Sequence, residues 1–231
     1  MDRKEKVAQQ DQYKDASNEI EEQYSNAKEE LDVKNEKQLM ELPFTTENFK
    51  SVNVVFVLDV SSSMRQYDRL SLMKYALLEL TDMLRDDDQF GIVTFASNTD
   101  VLIPNKPIKN AERLEEQISQ LKASGMTAGG EGIKLGFKQV RKNFIPDGHN
   151  MVVIITDGGF NKNSGNYQKW IKQNRKKGIY LSVVGIKNNE KSRVNLMEAA
   201  ELGNGEYLEI QNIADAAENL NLAIRKLSYK N

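Results

Sequence analysis

Asp59-Val60-Ser61-Ser62-Ser63 sets one carboxylate and three hydroxyls at the end of an apolar run, VNVVFVL. Asp157-Gly158-Gly159 follows a second run, MVVIIT, in the same way. Each cluster alone reads as a turn, the first with a helix cap and the second as an Asp-Gly turn. Together they offer two carboxylates and three hydroxyls, with no imidazole or thiolate. Oxygen-only donors suit a hard cation such as Mg²⁺, which takes about six ligands at roughly 2.0–2.1 Å and usually keeps waters. In an extended strand tip, Asp59, Ser61 and Ser63 point to one side while Val60 and Ser62 point away. A third polar loop, Gly125-Met126-Thr127-Ala128-Gly129-Gly130, precedes a helical pattern and alone reads as a flexible connection.

Such residues act together only if their strands end side by side. Val52–Leu58, Phe90–Phe95, Met151–Thr156 and Ile179–Ile186 are near-continuous apolar runs, the pattern of parallel strands buried on both faces. Between the first two, Leu70, Met73, Leu77, Leu80 and Leu84 recur at helical spacing behind Asp68, a predicted N-cap. Helical patterns also cover Ala111–Leu121, Gly130–Asn143, Tyr167–Lys177, Ser192–Leu202 and Ile213–Leu227, the last striped by Ala217, Leu220 and Ile224. Val101–Ile103, just before Pro104, predicts a short edge strand, and Gly205–Ile210 a final one. This alternation predicts an α/β fold with a doubly wound, mostly parallel, open Rossmann-like sheet. Ligands of such sheets sit beyond the carboxyl ends of the strands, where strand order reverses. The three polar loops fall at that end.

These motifs resemble the metal-ion-dependent adhesion site (MIDAS) of von Willebrand factor type A (VWA) domains: Asp-x-Ser-x-Ser, a distant Thr, and a later Asp in a Thr-Asp-Gly turn. The matching residues are Asp59, Ser61, Ser63, Thr127 and Asp157. FVLDVSSSM, GMTAGGEGI and VVIITDGGFN are similar to the bacterial branch, and the resemblance runs from about Val52 to Leu227. It implies a Mg²⁺ site, with Mn²⁺ or Ca²⁺ as alternatives, in which serines and threonine contact the ion and one or both aspartates act through water. It implies a protein partner, in adhesion or another interaction, that offers an Asp or Glu carboxylate. Related domains change affinity by moving the last helix, here Ile213–Leu227. Where paired glycines are usually followed by a small residue, this chain has Glu131, an extra acid near the site or simply a first-turn helix residue favoured by the dipole.

Composition narrows the remaining choices. The chain has 231 residues, 39% hydrophobic and 29% charged, with a net charge of −2. No basic field points to nucleic acid, and no apolar run approaches the roughly 18–20 residues that span a bilayer. The start, MDRKEKVAQQ, lacks a signal-peptide core. The compartment stays open between the cell envelope, if a leader was removed, and the cytoplasm. No cysteine and one histidine exclude most zinc chemistry. Residues 1–45 predict a charged helical extension, and residues 50–229 the VWA domain. The first 50 residues hold thirteen acids against eight bases and no glycine. Tyr13, Ile20, Tyr24, Ala27 and Leu31 mark a narrow apolar seam that could support self-association.

An enzyme is not expected. Mg²⁺-dependent phosphatases that use strand-tip aspartates typically carry Asp-x-Asp where this chain has Asp59-Val60-Ser61, and neither a phosphate-binding loop nor a Gly-x-Ser-x-Gly elbow occurs. His149, in Pro146-Asp147-Gly148-His149-Asn150, reads as a surface turn residue. Trp170 reads either as a rim contact with Tyr167 or as half-packed on the sheet.

Overall fold

All eight residues of strand β1, Val52–Asp59, are buried. That is why VNVVFVLD shows no polar-apolar alternation: a strand covered on both faces needs apolar side chains almost throughout. In the computed structural model, which describes residues 33–111, 113–126, 129–160 and 166–230, β1 lies inside a six-stranded sheet. The other strands are β2 (Gln89–Phe95), β3 (Thr99–Pro107), β4 (His149–Thr156), β5 (Ile179–Ile186) and β6 (Asn204–Ile210), in the order β3-β2-β1-β4-β5-β6. Only the β2–β3 pair is antiparallel. The chain leaves β1 for β2 on one side and later returns to β4 on the other, so strand order reverses between β1 and β4. Leu58 stands opposite Ile155, so Asp59 and the Thr156–Asp157 pair leave the sheet side by side.

Helices cover both faces. Helices α1 (Arg69–Met83), α2 (Leu114–Ser119) and α6 (Ile213–Ser228) cover one, where Phe56, Leu58, Met73, Leu77, Leu220 and Ile224 share a core. On the other, α3 (Gly129–Lys142), α4 (Tyr167–Arg175) and α5 (Glu190–Leu202) meet Val55 and Val57 through Ile133, Phe137, Ile171 and Leu196. Burying each large apolar side chain is worth about 1.5–3 kcal/mol, so β1 is anchored from both sides. Gly136 lets α3 come close to it, since a Cβ there would stand 2.5 Å from Val57 Cγ2. Helix α6 begins with the Asn212 side chain accepting from Asp215 N at 3.1 Å. It ends where Phe49 and Tyr229 form an antiparallel bridge.

The chain divides into two compact units, Met1–Leu42 and Pro43–Asn231. In the first, residues 33–41 are helical; the seam from Tyr13 to Leu31 lies outside the described residues. The side chain of Ala217, in the predicted stripe of α6, is likewise outside them. No described helix is long and apolar enough to cross a membrane.

Several expectations are corrected. Strand β3 runs nine residues rather than three and passes through Pro104. An edge position tolerates the missing N–H, and the β2–β3 register shifts beside it. Asp68 occupies the N-cap position of α1 but has φ 58° and makes no side-chain capping bond. His149 is no surface residue: it is 7% exposed and stacks on Tyr180 with ring centroids 5.0 Å apart. It opens β4 rather than lying in the preceding turn, and burial pushes its pKa down to about 4, with Lys50 adding to the shift. The reading of Trp170 as half-packed holds: it is half-buried against the core, with the Lys134 ammonium over its ring.

Candidate metal site at the strand tips

Beyond Asp59 the backbone is still extended at Ser61 (φ −67°, ψ 166°) and then tightens into a 3₁₀ segment, Ser62–Asp68. The strand alternation expected to carry Ser63 to the same side as Ser61 therefore stops short. The turn achieves the convergence instead, leaving the two hydroxyl oxygens 3.0 Å apart. Ser63 Oγ donates to Asp157 Oδ1 at 2.9 Å. Because that bond uses the Ser63 proton, Ser61 is the donor between the two serines. The result is a one-way chain, Ser61 to Ser63 to Asp157.

Asp59 lies fully buried beside it. Its Oδ1 accepts from Ser61 N at 2.9 Å, and its Oδ2 accepts from Thr156 Oγ1 at 2.7 Å. Burial raises the Asp59 carboxyl above its usual range, and the Asp157 charge adds to this, against hydrogen bonds from Ser61 and Thr156. Asp157 is held on its other oxygen by Arg69, with Nη1 to Oδ2 at 2.7 Å.

A neighbouring loop presses on the same place. Ser124 N donates to Val60 O at 2.7 Å, and Ser62 N to Gly125 O at 3.0 Å. Gly125 has φ +82°, where a Cβ would stand 2.6 Å from Ser97 Oγ. Ser97 Oγ in turn accepts from Met126 N at 3.0 Å. The loop is thus fixed beside β1 up to Met126. Thr127 itself lies outside the described residues.

The structure brings Asp59, Ser61, Ser63 and Asp157 into one cluster. Two members went unread in the sequence. Thr156 looked like an ordinary β-branched strand residue. Arg69 carried a usable signal, since a cation at the first position of a helix faces the unfavourable end of its dipole. Glu131 is exposed and pairs with Lys134 at 3.2 Å. Among the described residues, no group of three or more His, Cys, Asp or Glu side chains is placed to hold a metal ion. The set here mixes carboxylates with hydroxyls, and its oxygen lone pairs outnumber its protons. Those are donors for a hard divalent cation.

A family model described as the von Willebrand factor type A domain matches residues 53–221. YfbK of Escherichia coli (strain K12), described as uncharacterized, is 31% identical over 185 residues, 79% of this chain and 32% of YfbK. The human voltage-dependent calcium channel subunit alpha-2/delta-2 is 26% identical over 168 residues, 70% of this chain and 14% of that subunit. This chain therefore spans about a third or less of the length of these curated relatives. Among solved structures, BatB from Bacteroides thetaiotaomicron aligns with TM-score 0.64 and 23% identity over 77% of this chain and 98% of its own. Proximal thread matrix protein 1 from the mussel byssus, in a structure with a zinc-occupied MIDAS motif, gives TM-score 0.62 at 22% identity, over 77% of this chain and 48% of its own. These structures share the fold.

Proposed function

The chain belongs to the von Willebrand factor type A family, and from that premise we propose that it is a Mg²⁺-dependent protein-binding module whose strand-tip site takes an acidic side chain of a partner protein. The observation that carries this reading is the one-way hydroxyl chain from Ser61 through Ser63 to Asp157, beside buried Asp59. Asp59, Ser61, Ser63, Thr127 and Asp157 would hold the ion, with Mn²⁺ or Ca²⁺ as alternatives. When bound, such an ion supplies an electrophilic position for a partner's Asp or Glu carboxylate. The zinc-occupied motif of the mussel protein supports a metal at this place in the fold.

The chain's own residues divide the work. Asp59 is engaged on both oxygens by Ser61 N and Thr156, and Asp157 by Ser63 and Arg69. The serine hydroxyls keep free lone pairs. They are neutral, so a ligand set rich in them leaves positive charge for the partner to satisfy. In this reading the site recognises a carboxylate and breaks no bond.

The test is a pull-down from the source organism's lysate and envelope fractions, in Mg²⁺ and in EDTA, with Asp59→Ala as control. The expected result is a protein captured by the wild type in Mg²⁺ alone. Capture indifferent to both EDTA and Asp59→Ala would instead assign the interaction to the 1–45 extension, including its self-association, or to another face.

A further inference from the structure

Arg69 sits where a cation is doubly disfavoured: at the amino end of α1, and with its side chain only 13% exposed. Two consecutive residues before it, Tyr67 (φ 54°) and Asp68 (φ 58°), adopt the left-handed conformation that non-glycine residues seldom take. Its guanidinium spans three loops at once. Nη1 meets Asp157 Oδ2 at 2.7 Å and donates to Ser63 O at 3.3 Å, while Nη2 donates to Lys187 O at 2.9 Å. The Tyr67 ring lies against the same group, 5.1 Å from Cζ to the centroid. Nε is buried with no partner. A purely structural staple could use neutral donors to reach the Ser63 and Lys187 carbonyls. What requires a full positive charge is Asp157.

We infer that Arg69 is the resident counter-ion of the strand-tip site: by holding Asp157 through one oxygen it sets how tightly the site takes a free divalent cation. This rests on the metal reading above. With Oδ2 paired to Arg69 and Oδ1 accepting from Ser63, Asp157 is already neutralised and is kept from binding an ion directly. A fixed positive charge beside the site also repels a second cation. Arg69 thereby favours metal that arrives together with an acidic partner over metal alone. It is a positioning residue and contributes no ligand atom.

The experiment is a Mn²⁺ titration of the metal-free protein, with free Mn²⁺ counted by electron paramagnetic resonance. It compares wild type, Arg69→Gln, Arg69→Lys and Asp59→Ala, with thermal unfolding of each metal-free protein alongside. Arg69→Gln removes the charge and keeps a donor, so it should bind Mn²⁺ about tenfold tighter than wild type, as loss of a nearby like charge at intermediate dielectric implies. The same variant should unfold at a lower temperature without metal, because Asp157 loses its ion pair. Arg69→Lys keeps the charge and should bind like wild type. A simple staple predicts the reverse for Arg69→Gln, a loosened site and weaker Mn²⁺. If wild type binds, Asp59→Ala does not, and Arg69→Gln binds no tighter than wild type, the counter-ion role is wrong and the metal site stands. Tightening by Arg69→Lys as well would overturn the charge explanation. If no protein in the set binds Mn²⁺, the metal reading falls and the counter-ion role falls with it.

Discussion

At the amino end of the sheet a buried polar cluster is built from amides, and at the carboxyl end from carboxylates and hydroxyls. The two behave differently for that reason. Asn53 donates to Val140 O, Asn143 O and Asn150 Oδ1 at 2.8–3.0 Å and accepts from Asn105 Nδ2 at 2.8 Å. An amide carries donors and an acceptor together, so neighbouring amides largely satisfy one another. Carboxylates offer only acceptors, and each hydroxyl has a single proton. Asp59, Ser61, Ser63 and Asp157 therefore end with unused lone pairs and need Arg69 as an outside cation. The amide end uses its donors inside the fold and fixes structure, with Asn105 Oδ1 and Gln139 Oε1 left without partners among the described residues. The acid end is open, and its surplus is what a metal would use.

This contrast breaks first at the amide end. Asn53→Ala removes a donor group shared by three acceptors and the acceptor for Asn105 in a buried site, and should cost about 3–5 kcal/mol by urea unfolding. Mg²⁺ should stabilise the variant as much as it does wild type. A cost below about 1 kcal/mol would mean that the amide network does not hold the fold.

His149 at the same end should give the molecule an acid sensitivity. Its folded pKa lies near 4, below the ordinary value of about 6.5. The unfolded chain therefore binds the proton first as pH falls. Stability is full above about pH 6.5 and drops by up to ~3 kcal/mol as pH approaches 4. Urea midpoints at pH 7.5 and 4.5 measure the drop, and His149→Phe, which keeps a ring against Tyr180, should remove this part of it. Equal slopes for both proteins would place the acid sensitivity elsewhere.

The fold was legible because its signals are continuous. Four apolar runs fell on β1, β2, β4 and β5, and the helical stripes fell on their helices within a few residues. That Asp59, Ser61, Ser63 and Asp157 come together was legible because polar clusters at strand ends exceed what turns require. Three kinds of feature did not show. Arg69 reaches Asp157 across 88 positions of sequence, and no local pattern records that pairing. The role of Thr156 depends on the β1–β4 register, which sequence does not display. His149 sits in a turn-like string, yet its burial comes from Tyr180 on the neighbouring strand. Ser63 was placed correctly for a wrong reason, since a 3₁₀ turn does what strand alternation was expected to do.

The acid end should respond to substitution with the reverse pattern, little change without metal and loss of the Mg²⁺ effect. In Asp59→Asn the amide can still accept from Ser61 N and can donate to Thr156 Oγ1, while the desolvation cost of a buried carboxylate disappears. Without metal, the variant should match wild-type stability within about 1 kcal/mol. Stabilisation by Mg²⁺ should vanish. Unfolding with and without Mg²⁺ checks both, and a loss of several kcal/mol without metal would make Asp59 a structural residue like Asn53.

Glu131 sharpens the boundary of that open end and should show the smallest effect. It lies in the first turn of α3, and both it and its partner Lys134 have side chains more than half exposed. Water screens such a pair to about 0–1 kcal/mol, and the favourable helix-end position adds only about 0.3–1 kcal/mol. Glu131→Ala should therefore shift stability by at most about 1 kcal/mol. Mg²⁺ affinity should stay within about twofold, because the nearest fixed acids of the cluster are Asp59 and Asp157 and an exposed carboxylate is screened over about 8–10 Å. A tenfold fall in Mg²⁺ affinity would extend the acid end onto α3 and make Glu131 part of it.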